Sequence, residues 1–318
     1  MTQPALEFVA CADAKGSHRM AYWQWGDPAS AHVVLCLHGL TRQGRDFDVL
    51  AQALLARADG ALRVVCPDVV GRGRSDWLAD PMGYQVPQYA ADMVALIAQL
   101  HAAQPIERLD VVGTSMGGLI GMVLAGHAEL PLAAPVRRLV LNDVGPTIEA
   151  EAIARIASYV GQGGRYAGVQ AAADAMWQLS TAFGPHTPEQ WLALSAPMVV
   201  PASARSADGR TKVDDAAAAS GDGPVVLHYD PAIAVAIRAI TPEIAAQAEA
   251  ATWALYDGIR APTLLTRGAE SDLLSAATAR QMGERGPKAR LVEFAGVGHA
   301  PTFVDSRQSA VVVSFLLD

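Results

Sequence analysis

The chain has 318 residues, of which 51% are hydrophobic and 18% charged, with a formal net charge of −8. That balance supplies a large core and excludes the basic footprint of a nucleic-acid-binding protein. Its three cysteines, Cys11, Cys36 and Cys66, are odd in number and lack Cys–His metal spacing, so neither a disulfide framework nor a structural metal is expected. The opening MTQPALEFVACADAKG has no basic region followed by an apolar stretch, and no run of about 18 apolar residues occurs anywhere. The sequence therefore predicts no signal peptide, no membrane partner and a cytoplasmic location.

In chain order, two strands are expected near residues 6–11 and 20–25, joined by a Lys-Gly-Ser turn. Residues 33–37 form an apolar run suited to the middle of a parallel sheet. Helix-spaced apolar residues follow at Phe47, Leu50, Leu54 and Leu55, then a strand over 63–66. A helix over 86–101, a strand over 109–112, a helix opening after Ser115 and a strand over 138–141 continue the alternation. From about Gly145 to Tyr256 the pattern reads as helical only. Within it, residues 201–224 hold Val213 as their one large aliphatic side chain, which predicts a mobile loop. Strand and helix then alternate again: 262–266, 276–284, 289–294 and 309–317. This implies an α/β class with one mostly parallel sheet, its core made of residues 1–144 and 259–318. The helical insert at 145–258 would form a cap.

The chemistry centres on Gly113-Thr114-Ser115-Met116-Gly117, a G-x-S-x-G set between a strand and a helix. Such a sharp turn raises the serine hydroxyl above the carboxyl edge of the sheet. A serine hydroxyl needs a base to take its proton. His299, in the loop FAGVGHAPTF after the last strand, is the expected base; His38, beside Gly39, reads as a backbone support. Asp272, in TRGAESDLLS, is the expected acid that orients the imidazole. Asp143, in LVLNDVG, competes for that role and is otherwise placed at the insert's entry or in the pocket wall. Carbonyl attack also needs two N–H donors for the oxyanion. Met116, directly after the nucleophile, and Leu40, after His38-Gly39, are expected to supply them. Thr41, Arg42, Trp77 and Trp177 are further pocket candidates, Arg42 as a possible partner for a substrate carboxylate.

Four segments, LCLHGLTRQGRDF, PDVVGRGRSD, VVGTSMGG and the pair RGAESDLLS with GVGHAPTF, carry a resemblance to the α/β-hydrolase superfamily across nearly the whole chain. Within it the chain resembles cap-bearing hydrolases that include esterases and meta-cleavage-product hydrolases. The resemblance implies an α/β-hydrolase fold, a triad in the order Ser, Asp, His, and no cofactor, although some members take the acid from the position of Asp143. Gly71 and Gly73 of the second segment are expected to serve tight turns. The loop HGLTRQGRDF departs from the glycine- and proline-rich loop of the meta-cleavage enzymes. The leading expectation is thus hydrolysis of a small or medium apolar carboxylic ester through an acyl-enzyme. A carbon–carbon hydrolase or lactonase is the second reading, and a non-catalytic ligand-binding protein the third.

Overall fold

A computed structural model describes residues 3–204 and 223–318. Eight strands form the main sheet: β1 (Ala5–Asp13), β2 (Gly16–Gly26), β3 (His32–Leu37), β4 (Arg63–Pro67), β5 (Arg108–Thr114), β6 (Val136–Asn142), β10 (Thr263–Gly268) and β11 (Arg290–Phe294). Their order is β1-β2-β4-β3-β5-β6-β10-β11. The β1–β2 and β2–β4 pairs are antiparallel, and all others parallel.

The strand sequences explain why the sheet is covered on both faces. In β3, Val33, Leu35 and Leu37 enter one apolar cluster, while Val34 and Cys36 enter the other. Alternating side chains point to opposite faces, so a continuous apolar run needs helices on each side. Helices α1 (Asp48–Arg57) and α10 (Ser306–Leu317) cover one face through Leu50, Leu54, Val312 and Leu316. The other is covered by α2 (Val86–Ala103), α3 (Met116–Gly126), α8 (Pro242–Gly258) and α9 (Ala276–Glu284). All three cysteines are buried free thiols.

The insert is not helical only. Beside α4 (Ala150–Tyr159), α5 (Val169–Ser180), α6 (Pro188–Ser195) and α7 (Ile233–Arg238), it contains a three-stranded sheet in the order β7-β9-β8. These strands, β7 (Arg165–Tyr166), β8 (Val199–Pro201) and β9 (Val225–Leu227), are too short to carry a readable period. Helix α8, at the end of the stretch assigned to the cap, packs on core helix α3: a Cβ on Gly126 would stand 2.1 Å from the Leu255 carbonyl oxygen. Most of the loop expected to be mobile, 205–222, lies outside the described residues. Its flanks meet, because Pro201 pairs with Val225 and Ala202 N–H donates to Pro224 O at 2.8 Å. Among the described residues, no helix is long and apolar enough to cross a membrane.

One feature of the topology places the site. β3 lies between β4 and β5, so the chain leaves β3 to one side and later returns to the other. Ligands bind at such a switch point, in the crevice beyond the carboxyl ends of the strands. The loops leaving β3 and β5 there carry His38-Gly39-Leu40 and Ser115.

Candidate active site

Ser115 turns out of β5 with φ 52° and ψ −119° and caps α3. A left-handed backbone costs a non-glycine residue of order 1–3 kcal/mol and persists only where its surroundings enforce it. Here the Ser115 amide donates to Asn142 O at 3.0 Å, and its carbonyl accepts from Gly118 N at 2.8 Å. The helix also approaches β3 closely: a Cβ on Gly117 would meet Leu37 O at 2.0 Å.

The side chain that meets Ser115 comes from the loop after β11. His299 Nε2 lies 2.9 Å from Ser115 Oγ, and Nδ1 lies 2.7 Å from Asp143 Oδ2. This geometry lets the imidazole take the hydroxyl proton while a carboxylate faces its far nitrogen. Asp143 is fully buried at the end of β6 with φ 55°. Its Oδ1 accepts from Gly268 N at 2.9 Å, and its Oδ2 accepts from Ser271 Oγ at 2.6 Å.

The expectation that Asp272 orients the histidine is therefore corrected. Asp272 Oδ2 pairs with the Arg155 guanidinium at 2.7 Å, and its side chain is 54% exposed. Asp143 follows directly on Asn142, which pairs in register with Thr114, the residue before the serine. The two turns thus stand side by side at adjacent strand ends. Asp272 lies four residues beyond β10, where its loop has already turned outward. Asp143 accordingly neither caps the insert nor merely lines the pocket. Sequence reasoning also missed Asn142, whose Nδ2 donates to Pro301 O at 2.7 Å and to Thr114 Oγ1 at 3.0 Å. It binds the histidine loop to the serine strand, and a polar amide directly after the apolar run of LVLND is the signal that was available.

The expected oxyanion donors sit in suitable frames. Met116 is the first residue of α3, where backbone N–H groups have no intrahelical acceptor. Gly39 packs against Ser115, with an added Cβ only 3.7 Å from the serine Cβ. The Gly39 carbonyl accepts from His38 Nδ1 at 2.7 Å and from Arg42 N at 3.1 Å. A trans peptide points its C=O and N–H in opposite directions, so these bonds also aim the Leu40 N–H. Val69 N–H donates to His38 Nε2 at 2.9 Å, which places the ring proton on Nδ1. Burial, aided by the charges of Arg72 and Arg42, pushes His38 down to about 3 and so favours the neutral ring. His38 is a fully buried backbone support.

The DVVGRGRS segment braces this loop. Asp68 Oδ1 accepts from Gly44 N at 2.7 Å, and Oδ2 accepts from Arg74 N at 2.8 Å and Trp23 Nε1 at 3.2 Å. Gly71 and Gly73 take positive φ as expected, and a Cβ on Gly73 would strike the Asp68 carboxylate at 2.2 Å.

The pocket candidates divide. Thr41 follows Leu40, half-buried. Arg42 forms a bidentate pair with Asp46 at 2.7 and 2.6 Å, donates to Leu194 O at 3.1 Å, and lies over the Phe183 ring at 5.9 Å. It clamps the cap onto the β3 loop. Trp177 packs edge-on against Trp191 at 5.0 Å within the cap's own aromatic cluster. Trp77 lines a surface cleft with Asp13, Lys15 and His18 beside the β1–β2 hairpin. The cap also reaches the histidine loop, where Gly298 N donates to Ala182 O at 2.6 Å. The insert is thus joined to both the β3 loop and the histidine loop.

Among the described residues, the one cluster of metal-type donors is Cys11, His18 and Asp92, beside the same hairpin. Both nitrogens of His18 are already engaged there, with Asp13 at 3.0 Å and Asp92 at 3.1 Å.

Comparison with known proteins agrees with this architecture. The 3-hydroxybutyrate-oligomer hydrolase of Cupriavidus necator is 49% identical over 312 residues, covering 98% of this chain and 97% of that protein. The lipase LipV of Mycobacterium tuberculosis is 30% identical over a shorter stretch, 41% of this chain and 43% of its own. An alpha/beta hydrolase from Novosphingobium aromaticivorans superposes with a TM-score of 0.76 at 34% identity, covering 99% of each chain. The family model for the alpha/beta hydrolase fold matches residues 32–306, and the chain belongs to that family of hydrolases.

Proposed function

We propose that this hydrolase is a serine esterase that cleaves short oligomers of a hydroxy acid, with 3-hydroxybutyrate oligomers as the substrate to test first. The hydrogen-bonded series Ser115 Oγ–His299 Nε2 and His299 Nδ1–Asp143 carries the reading. The substrate is drawn from the Cupriavidus relative, whose similarity runs through core and cap alike.

In the proposed reaction, Ser115 Oγ attacks an ester carbonyl carbon as its proton passes to His299 Nε2. The amides of Leu40 and Met116 hold the oxyanion, a contribution on the order of 3 kcal/mol per donor. Collapse breaks the bond to the leaving oxygen, which takes the proton from His299 and departs as the hydroxyl of the shortened oligomer. Water then gives a proton to the same imidazole and attacks the acyl-enzyme, releasing the acid and restoring Ser115. Asp143 keeps the imidazole in the tautomer with its proton on Nδ1 and stabilises the imidazolium.

The test is a trimer of 3-hydroxybutyrate assayed beside p-nitrophenyl butyrate and a vinylogous diketone, with wild type and Ser115→Ala. The expected result is hydrolysis of both esters by wild type and almost none by the variant. A Ser115→Ala protein with wild-type rates would remove the serine mechanism. An enzyme active on the nitrophenyl ester or the diketone but inert toward the trimer would remove the substrate.

A further inference from the structure

Among the described residues, Arg72 is the largest fully buried side chain. Among the described residues, no carboxylate lies within ion-pair distance of its guanidinium. The nearby carboxylate of Asp230 is engaged elsewhere, by Tyr84 Oη at 2.6 Å and Ala232 N at 2.8 Å. Burying an unpaired charge is costly, so the groups around it must offset that cost through hydrogen bonds and polarisable contacts. Those groups are informative. Nε donates to Leu40 O at 2.8 Å, one terminal nitrogen donates to Val70 O at 2.7 Å, and the other reaches Met116 Sδ at 3.5 Å. The guanidinium carbon lies over the Tyr89 ring at 4.9 Å and the Tyr84 ring at 5.7 Å.

Leu40 and Met116 are the two residues whose amides the esterase reading assigns to the oxyanion. Resting on the serine-esterase reading above, we infer that Arg72 is a positioning residue that fixes both halves of the oxyanion hole and ties them to the seat of the cap. His38 already holds the peptide before Leu40 through Gly39 O. Arg72 holds the peptide after it through Leu40 O, so both peptide planes flanking the Leu40 Cα are set. From the other side of the hole, the same guanidinium touches the Met116 side chain at the first turn of α3. Its positive charge, which pairs with no carboxylate among the described residues, also favours negative charge growing on the substrate oxygen.

The link to the cap runs through the backbone of the same residue. Arg72 forms an antiparallel bridge with Tyr229, flanked by Gly73 N–H to His228 O at 2.9 Å and Asp230 N–H to Gly71 O at 2.8 Å. The segment that holds the oxyanion loop is therefore the one on which residues 228–230 of the insert are laid. A bidentate donor with a flat face is needed to touch Leu40, Val70, Met116 and two rings at once, which a lysine cannot reproduce.

The experiment compares Arg72→Met and Arg72→Lys with wild type on p-nitrophenyl butyrate, and measures inhibition by phenylboronic acid, whose tetrahedral serine adduct places an oxygen in the hole. Thermal midpoints are recorded alongside. Arg72→Met is expected to lower kcat by roughly 10- to 100-fold, less than loss of a direct donor, with KM changed by less than about threefold. Boronate affinity should fall by the same factor as kcat. Arg72→Lys should recover part of both, and serves as the test variant if Arg72→Met does not fold. A variant with kcat within about twofold of wild type overturns the inference. So does a fall in kcat with boronate affinity unchanged, since lost stability alone does not weaken tetrahedral-adduct binding in step with turnover. Wild type that neither cleaves esters nor reacts with a fluorophosphonate would bring down the esterase reading itself, whereas a normal Arg72→Met in an active background removes only the role given to Arg72.

Discussion

Asp143 Oδ2 lies 2.7 Å from His299 Nδ1 although the two residues are 156 positions apart. The contact exists because β6 and β10 are neighbours and the chain after β11 folds back across their carboxyl ends. Replacing Asp143 by Asn would keep the size of the side chain but present an amide that can favour the wrong imidazole tautomer. The expected outcome is a loss of about 10⁴-fold in kcat. Asp272→Asn should leave turnover at the wild-type level and change stability by less than about 1 kcal/mol, because it breaks one exposed ion pair. Steady-state kinetics on both variants decide between the two aspartates, and a larger loss in Asp272→Asn would reverse the assignment.

Much of this arrangement was legible before any coordinates. G-x-S-x-G forces the sharp strand-to-helix turn at Ser115 by local sterics, and the alternation of apolar runs specifies strands whose buried partners lie on both faces. What the sequence could not deliver was anything set by strand order. Asp143 and Asp272 both follow a strand, and both precede His299 in the chain. Only the pairing of Asn142 with Thr114 on one side and Thr266 on the other shows which carboxylate stands beside the serine. The cap was harder still: β7 has two residues and β8 three, below any readable period. Arg72 was hidden for the opposite reason, since an arginine between two glycines in a polar-looking loop reads as solvated.

Gly117 tests how tightly the turn at Ser115 is packed. A Cβ there would stand 2.0 Å from Leu37 O and 2.5 Å from Leu37 C, both rigid backbone atoms of the central strand. Relief requires α3 to move away from β3, which would carry Ser115 away from the Gly39–Leu40 peptide. Gly117→Ala is expected to cost about 3 kcal/mol and to lower kcat in the protein that remains folded. Gly163→Ala is the control, because nothing lies within 4 Å of its added methyl group, and its stability should stay within about 0.5 kcal/mol of wild type. Urea denaturation of the pair measures both, and a Gly117→Ala midpoint equal to the control would contradict the packing argument.

Asp68 shows that the DVVGRGRS segment supports the site rather than binding a ligand. Its carboxylate satisfies two backbone N–H groups and the Trp23 indole, and one of those amides, Gly44, belongs to the loop that leaves β3. Asp68→Ala strands buried donors and is expected to destabilise the fold by roughly 3 kcal/mol. Asp68→Asn, which still accepts through one oxygen, should fall between the two proteins. Thermal unfolding of the three ranks them, and a neutral Asp68→Ala would show that the β3 loop holds its shape without this brace.

His18 gives a prediction for pH. It is 5% exposed, bonded through Nδ1 to Asp13 at 3.0 Å and through Nε2 to Asp92 at 3.1 Å, and joins the β1–β2 hairpin to α2. Burial alone would lower its pKa, but the hydrogen bonds and charges of Asp92, Cys11 and Asp13 outweigh that and raise it to about 10. The folded protein therefore holds the proton more tightly than the unfolded chain, whose histidine releases it near 6.5. The stabilisation is fully present below about pH 6.5, declines as pH rises, and is gone above about 10. His18→Gln lacks this proton, so wild type should exceed it by about 2 to 4 kcal/mol at pH 6. The gap should close steadily across that window. Alkaline titration of groups that do not touch His18 acts on both proteins and cancels in the difference, so only Cys11, whose thiol bonds to His18, adds to the gap. Urea midpoints collected at half-unit steps from pH 6 to 10 provide the measurement, and a gap that stays constant throughout would mean that His18 is neutral in the folded state and that the hairpin is fastened by ordinary hydrogen bonds alone.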